Sequence, residues 1–457
     1  MNKAVDLYIS EHKDELIESV RESIRFPSVE APSAGEGAPF GEAVRDALEH
    51  ALNLGEKFGF STANLDGYAG CIDYGSGNEM LGVVCHLDVV PEGEGWTHPP
   101  YAAEIADGRI YGRGAMDDKG PAICAIYALA AIKAANIPLR RRVRIILGTN
   151  EETGWGCMDH YRKVAEIPTM SFSPDADYPV VNSEKGIYHT TLRCKANTKV
   201  RINGGTRANV VCGKCNVFVP VPVEIVEKHL ETVTKKGFET KLTAVPGGTE
   251  IVIMGLDAHG SMPEMGRNAM QAAFALLTCL PLDGEDKRVI EILHDKFKFD
   301  MHGESIGLDK EDASGRLSLN PGVIAWDENG FEISIDVRHP ISLDVNEVRT
   351  KIEAALADFD PVCVHEKQQD GHYIPADSEL VSKLLRVYAE RTGEYKEPLA
   401  IGGGTYARAF PNAVAFGCEQ PGISGPVHMP DEFIGIDELM FNAHMIADAM
   451  IALASEE

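Results

Sequence analysis

Four short stretches carry residues whose types could do metal chemistry. They read CHLDVVP around His86 and Asp88, GRGAMDDKGP around Asp117 and Asp118, GTNEETG around Glu151 and Glu152, and SFSPDA around Asp175. In an extended chain alternate side chains share a face, so His86 and Asp88 point the same way. A metal-bound imidazole commonly gives its other ring N–H to a carboxylate, which fixes its tautomer. His86 therefore reads as a ligand and Asp88 as the group that orients it. Adjacent acids divide labour at a metal site: one carboxylate on the metal, one kept free as general base. The pairs Asp117–Asp118 and Glu151–Glu152 invite that reading. Alone, each stretch is also what an ordinary solvated turn looks like.

The elements around these residues decide between the two. Leu81–Cys85 (LGVVC) and Val143–Leu147 (VRIIL) are continuous apolar runs, which suit strands buried on both faces. Ile167–Asp175 gives a third short strand running into an acid. Pro121–Ala135 is apolar nearly all round and reads as a buried helix with Pro121 at its first position. Its positive amino end would then lie beside Asp117 and Asp118. His or acidic residues thus fall repeatedly at the carboxyl ends of apolar strands, where open α/β sheets bind ligands. Divalent cations are the expected ligands.

With these motifs the chain resembles the di-zinc metallopeptidase family of aminoacylase, glutamate carboxypeptidase, succinyl-diaminopimelate desuccinylase and carnosine dipeptidases. Its pattern is nearest to bacterial PepV-type dipeptidases. The stretches HLDVVPEGEGW, GRIYGRGAMDDKGP, LGTNEETG, FSPDADYP, GLDAHGSMP and GGGTYAR carry the resemblance, which runs from about Ile17 to the C-terminus. It implies an α/β fold: a catalytic domain with a mixed, mostly parallel sheet flanked by helices, plus an inserted α+β lid. The expected boundaries are 1–186 and 374–457 for the catalytic domain and 187–373 for the lid, where the β pattern changes and the catalytic motifs pause.

The resemblance also implies roles. His86 and Asp175 would bind one cation, Glu152 and His428 the other, and Asp117 would bridge them, joined to Asp118 by a cis peptide. Glu151 would be the general acid/base acting on a water held between the cations, and Asp88 would orient His86. Zn²⁺ is the expected metal, with Mn²⁺ or Co²⁺ also suited to the carboxylate-rich set. From the lid, Asn209, His259 and Arg338 would reach the substrate, with His259 on the oxyanion and Arg338 on a C-terminal carboxylate. The Gly-rich turn with Gly403, Gly404, Thr405 and Arg408 would bind a substrate carboxylate; it lacks the GxxxxGK[ST] pattern of a phosphate loop. Trp96 is either a wall of the site or ordinary packing. The implied activity is hydrolysis of dipeptides or short peptides with free ends. The alternative is an N-acyl amino-acid amidohydrolase or carboxypeptidase of the same family.

Composition narrows the partners. The chain has 457 residues, 43 Lys plus Arg against 70 acids, and a formal charge of −27. That length suggests two domains. The acid surplus argues against nucleic acid and anionic membrane, which need a basic footprint. Ten scattered Cys fit reduced thiols rather than a disulfide framework. Cys212 and Cys215 form a lone CxxC, without the four ligands of a structural zinc site. The N-terminus does not read as a signal peptide, and no apolar run reaches a membrane span. A cytoplasmic location is expected, and the long lid favours a monomer.

Overall fold

The computed structural model describes residues 1–420, 423 and 426–455. The chain divides into two units: one of residues 1–182, 374–399 and 404–457, the other of residues 183–373 and 400–403.

The first unit is built on a mixed sheet. Six of its strands lie in the order Ser61–Leu65, Ala69–Tyr74, Arg142–Gly148, Met80–His86, Met170–Ser173, Ala413–Ala415. The last four run parallel, and the first two are antiparallel additions. Met80–His86 is buried at every position, as its unbroken apolar run requires. His86 stands opposite Gly148 in register, so both strands end at the same level. The loops that follow emerge together at that end.

Helix Lys119–Ala134 packs against Met80–His86, with Lys13–Ile24 and Ile436–Ala454 also laid against it. It is buried from Lys119 to Ile132. The helix starts two residues before Pro121, which is therefore not its first residue. Such an all-round apolar helix has no solvent face to orient it, and neighbours on several sides hold it. Its start is pinned by Lys119, whose Nζ donates to Phe26 O at 2.6 Å. Burial pulls the Lys119 ammonium down to about 7.

The second unit is an eight-stranded antiparallel sheet with helices Ala269–Leu277, Gly284–Phe297 and Val345–Ala355. Phe274, Leu293 and Ile352 of those helices join Ile333 and Ile335 of the central strand Gly330–His339 in one core. Gly186–Lys195 alternates buried and half-buried or exposed positions over most of its length, the period of a sheet with one covered face. Two elements of this unit end short of the residues they lead to. The strand before His259 is Gly248–Met254 and stops five residues short of it; His259 instead makes an isolated bridge with Val210. Helix Val345–Ala355 is capped by the Asp344 side chain and stops before Phe359, where the chain tightens to a 3₁₀ turn over Ala357–Phe359. No helix among the described residues is long and apolar enough to cross a membrane.

Candidate metal centre

The site lies in the first unit, at the carboxyl ends of its parallel strands. His86 is the last residue of Met80–His86 and is buried. Its Nδ1 faces the backbone carbonyl of Asp88 at 2.9 Å, which leaves Nε2 as the outward atom. Nε2 lies 2.8 Å from Asp117 Oδ1 and 3.7 Å from Asp175 Oδ2. His428 comes from the far end of the chain. Its Nε2 lies 2.9 Å from Asp117 Oδ2 and 3.1 Å from Glu152 Oε1. One carboxylate, Asp117, therefore faces an imidazole on each of its two oxygens.

Two donor groups share that carboxylate: His86, Asp117 and Asp175, and Asp117, Glu152 and His428. Within each, the three ligand atoms lie within 4.8 Å of one another. Nitrogen and carboxylate oxygen donors of this kind suit Zn²⁺ and its neighbours in the first transition row. The electrostatics also favour cations. Burial pushes the Asp175 carboxyl up to about 8, and the Asp117 charge adds to it. Burial and then Asp117 raise Glu152 as well. Burial alone would raise the Asp117 carboxyl, but hydrogen bonds to His428 and His86 outweigh that and hold it well below the usual carboxylate range. Acids crowded this way are relieved by positive charge, and bound cations supply it.

Asp88 acts differently from the expectation. Its carboxylate is 3.7 Å from His86 Nδ1 and turns instead to the next strand's loop. Oδ1 accepts the Glu151 N–H at 3.0 Å and Oδ2 the Glu152 N–H at 3.1 Å. Asp88 thus orients His86 through its main chain and fixes the Glu151–Glu152 backbone through its side chain. Glu151 has its carboxyl held well above the usual range, by burial first and then by Asp175, Glu152 and Asp117, against the pull of His86.

Asp117 and Asp118 are joined by a cis peptide. Asp118 Oδ2 accepts the His86 N–H at 3.0 Å. Burial and then Asp175 push its carboxyl well above the usual range.

Sequence reasoning passed over three residues that hold this arrangement. Glu432 is fully buried; its Oε1 accepts the N–H of Met116 at 3.1 Å and of Asp117 at 3.3 Å. Its Oε2 takes Arg113 Nη1 at 2.6 Å, and that guanidinium is buried too. Tyr406 sets its ring edge-on to His86, centroids 6.1 Å apart, and its hydroxyl meets Cys157 Sγ at 2.8 Å. Gly148 gives it room, since a Cβ there would lie 2.2 Å from the Tyr406 hydroxyl. Arg113 lies within GRGAMDDKGP, Tyr406 within GGGTYAR and Glu432 four residues after His428, yet their residue types alone do not mark these roles.

The other expected substrate residues divide between the units. Gly404, Thr405 and Arg408 belong to the first. Thr405 Oγ1 accepts the Ala407 N–H at 3.1 Å and opens a 3₁₀ turn over Tyr406–Ala409. Arg408 folds back over Gly404, where a Cβ would sit 3.1 Å from its Nε. Asn209, His259, Arg338 and Gly403 belong to the second. His259 Nδ1 meets the Ser261 hydroxyl at 2.7 Å and faces the Ser261 N–H at 3.2 Å. The Asn209 carbonyl accepts the Gly260 N–H at 2.7 Å beside it. Arg338 is buried, with Nε on Asp336 Oδ1 at 3.0 Å and Nη1 on the Gly402 carbonyl at 2.9 Å. Trp96, half-buried, donates from its indole to Glu92 O and lies under the Arg113 guanidinium. It is tied to the loop by packing.

Residues 82–452 match the family described as Peptidase family M20/M25/M40. A Bacillus subtilis protein named "Putative dipeptidase YtjP" is 41% identical over 463 residues, covering 97% of this chain and 98% of the relative. The "Beta-Ala-Xaa dipeptidase" of Lactobacillus delbrueckii subsp. lactis is 32% identical, covering 97% of each. Human carnosine dipeptidase 1 shares the fold, with a TM-score of 0.59 at 16% identity and 98% coverage of both chains. With its donors at the strand ends and a match over most of its length, the chain is a metallopeptidase of family M20/M25/M40.

Proposed function

We propose that this protein is a two-cation dipeptidase acting on short peptides with free amino and carboxyl ends, with Glu151 as its general base and acid. The observation that carries the reading is the Asp117 carboxylate, faced on both oxygens by His86 and His428, with Asp175 and Glu152 completing the two donor groups. The relatives named as dipeptidases, at 41% and 32% identity over nearly the whole chain, support that substrate class over N-acyl amino acids.

His86 and Asp175 would hold one cation, Glu152 and His428 the other, and Asp117 both. When bound, such a pair would polarise the scissile carbonyl and lower the pKa of an attacking water towards ~7. Glu151 is not needed as a ligand. Its raised proton affinity suits it to take that water's proton and hand it to the leaving amine. Asp88 holds the Glu151 main chain while this happens. His259 is assigned the oxyanion, with its Nδ1 side engaged by Ser261 and Nε2 as the donor atom. Arg338 is assigned the substrate's C-terminal carboxylate, its guanidinium being held by Asp336 and Gly402. Asn209, Gly403, Gly404, Thr405 and Arg408 are assigned to the remainder of the substrate. Zn²⁺ is the assigned metal, and a monomer the assigned state.

Hydrolysis of one dipeptide and of its N-acetyl form, by chelator-stripped protein with Zn²⁺ or Mn²⁺ restored, tests the proposal. Metal-dependent cleavage of the free dipeptide alone is the expected result. Preference for the acetylated form would overturn it in favour of an acylase.

A further inference from the structure

A cavity of about 220 Å³ lies wholly within the second unit, lined by residues between 211 and 321. Its walls are apolar. Phe238 and Phe299 stand with ring centroids 6.0 Å apart, and Met301 lies beside them. Gln271 also lines it and is almost fully buried. The Gln271 Nε2 is spent on the carbonyls of Lys298, at 3.0 Å, and Asp300, at 3.3 Å. Its Oε1 has no hydrogen-bond partner among the described residues.

Two exposed cations, Lys236 and Arg267, line the same cavity. Lys236 Nζ is 4.7 Å from the centroid of the Phe299 ring. Arg267 runs alongside Gly237, where a Cβ would lie 3.6 Å from its Cδ and Nε. Neither has a carboxylate partner among the described residues. That is notable in a chain with 70 acids to 43 Lys plus Arg, where acids are plentiful enough to pair each cation. Apolar walls, a few convergent polar groups and concavity are the marks of a small-molecule site. The volume is below the ~300–1,000 Å³ usual for larger ligands, which limits the occupant to about one ring or one branched chain.

We propose that this cavity binds a small monocarboxylate with an aromatic or branched apolar body. The body lies against the Phe238 and Phe299 rings, which line the cavity together. The carboxylate meets Lys236 and Arg267 in charge-assisted hydrogen bonds. Gln271 Oε1 accepts any N–H the ligand carries.

Calorimetric titration of the metal-loaded, full-length protein with 3-phenylpropionate, and with its uncharged amide, tests this. Saturable binding of the acid is expected, at least tenfold weaker for the amide and at least tenfold weaker in K236A/R267A. Both substituted side chains are exposed, so the double variant is expected to keep wild-type dipeptide hydrolysis, which reports its folding. Absence of saturable binding to the wild-type protein would overturn the proposal. So would undiminished affinity in the double variant, which would place the acid elsewhere, the catalytic cations included.

Discussion

Glu151 and Asp117 sit within one small site and are expected to fail differently when altered. With Glu151 as the proposed general base, E151Q is expected to remove a proton acceptor without removing a metal ligand. Loss of general acid–base help typically costs ~10²–10⁴ in rate, so kcat should fall by that order while two metal equivalents remain by elemental analysis. Normal turnover in E151Q would sink its assignment. D117A removes the one carboxylate that both donor groups share, so both metals should be lost together; a variant holding either at full occupancy would contradict the shared role. These residues were legible because each follows a strand or opens a helix, with apolar runs on one side and Gly or Pro on the other. The work of the Asp88 side chain was less so. Alternation along an extended chain places it beside His86, yet its carboxylate reaches the amides of Glu151 and Glu152, 63 and 64 residues away. A pairing across two strands has no local signature.

The elements most exposed to error in sequence are those whose ends are set by tertiary contacts. Helix Lys119–Ala134 begins before its proline because Asp118, Lys119 and their partners fix the turn. Its approach to the centre is held from outside by Glu432, more than 300 residues along the chain. Burying the Arg113–Glu432 pair is sustainable because each charge has the other and main-chain partners besides. Removing one charge leaves the other uncompensated, at a cost of about 3–5 kcal/mol. E432A should therefore lower the urea midpoint of the metal-free protein substantially, whereas replacing both residues by apolar ones should cost less than either single change. Equal stability of E432A and the parent would show that the pair is not what anchors the Asp117 turn. Nothing in HMPDE announces this, since an acid after a proline-containing turn is ordinarily solvated.

At the scale of the molecule, the two units carry different demands. Each has its own core, a division in keeping with a chain of this length. Among the described residues, only the first gathers buried acids whose proton affinities are raised by burial and by one another. Cation binding is therefore expected to stabilise the native state by linkage, about 2.7 kcal/mol when free metal stands at 100 times its Kd. The gain should be localised. Hydrogen exchange of the metal-free protein should show weakened protection around residues 86–88, 116–118 and 150–152, restored by Zn²⁺. The central strand of the second unit, residues 333–337, should exchange alike with and without metal, because its stability comes from apolar packing and antiparallel hydrogen bonds. Uniform protection with and without Zn²⁺ at the strand ends of the first unit would mean that its acids are accommodated without cations, and the two-cation reading would fall with it.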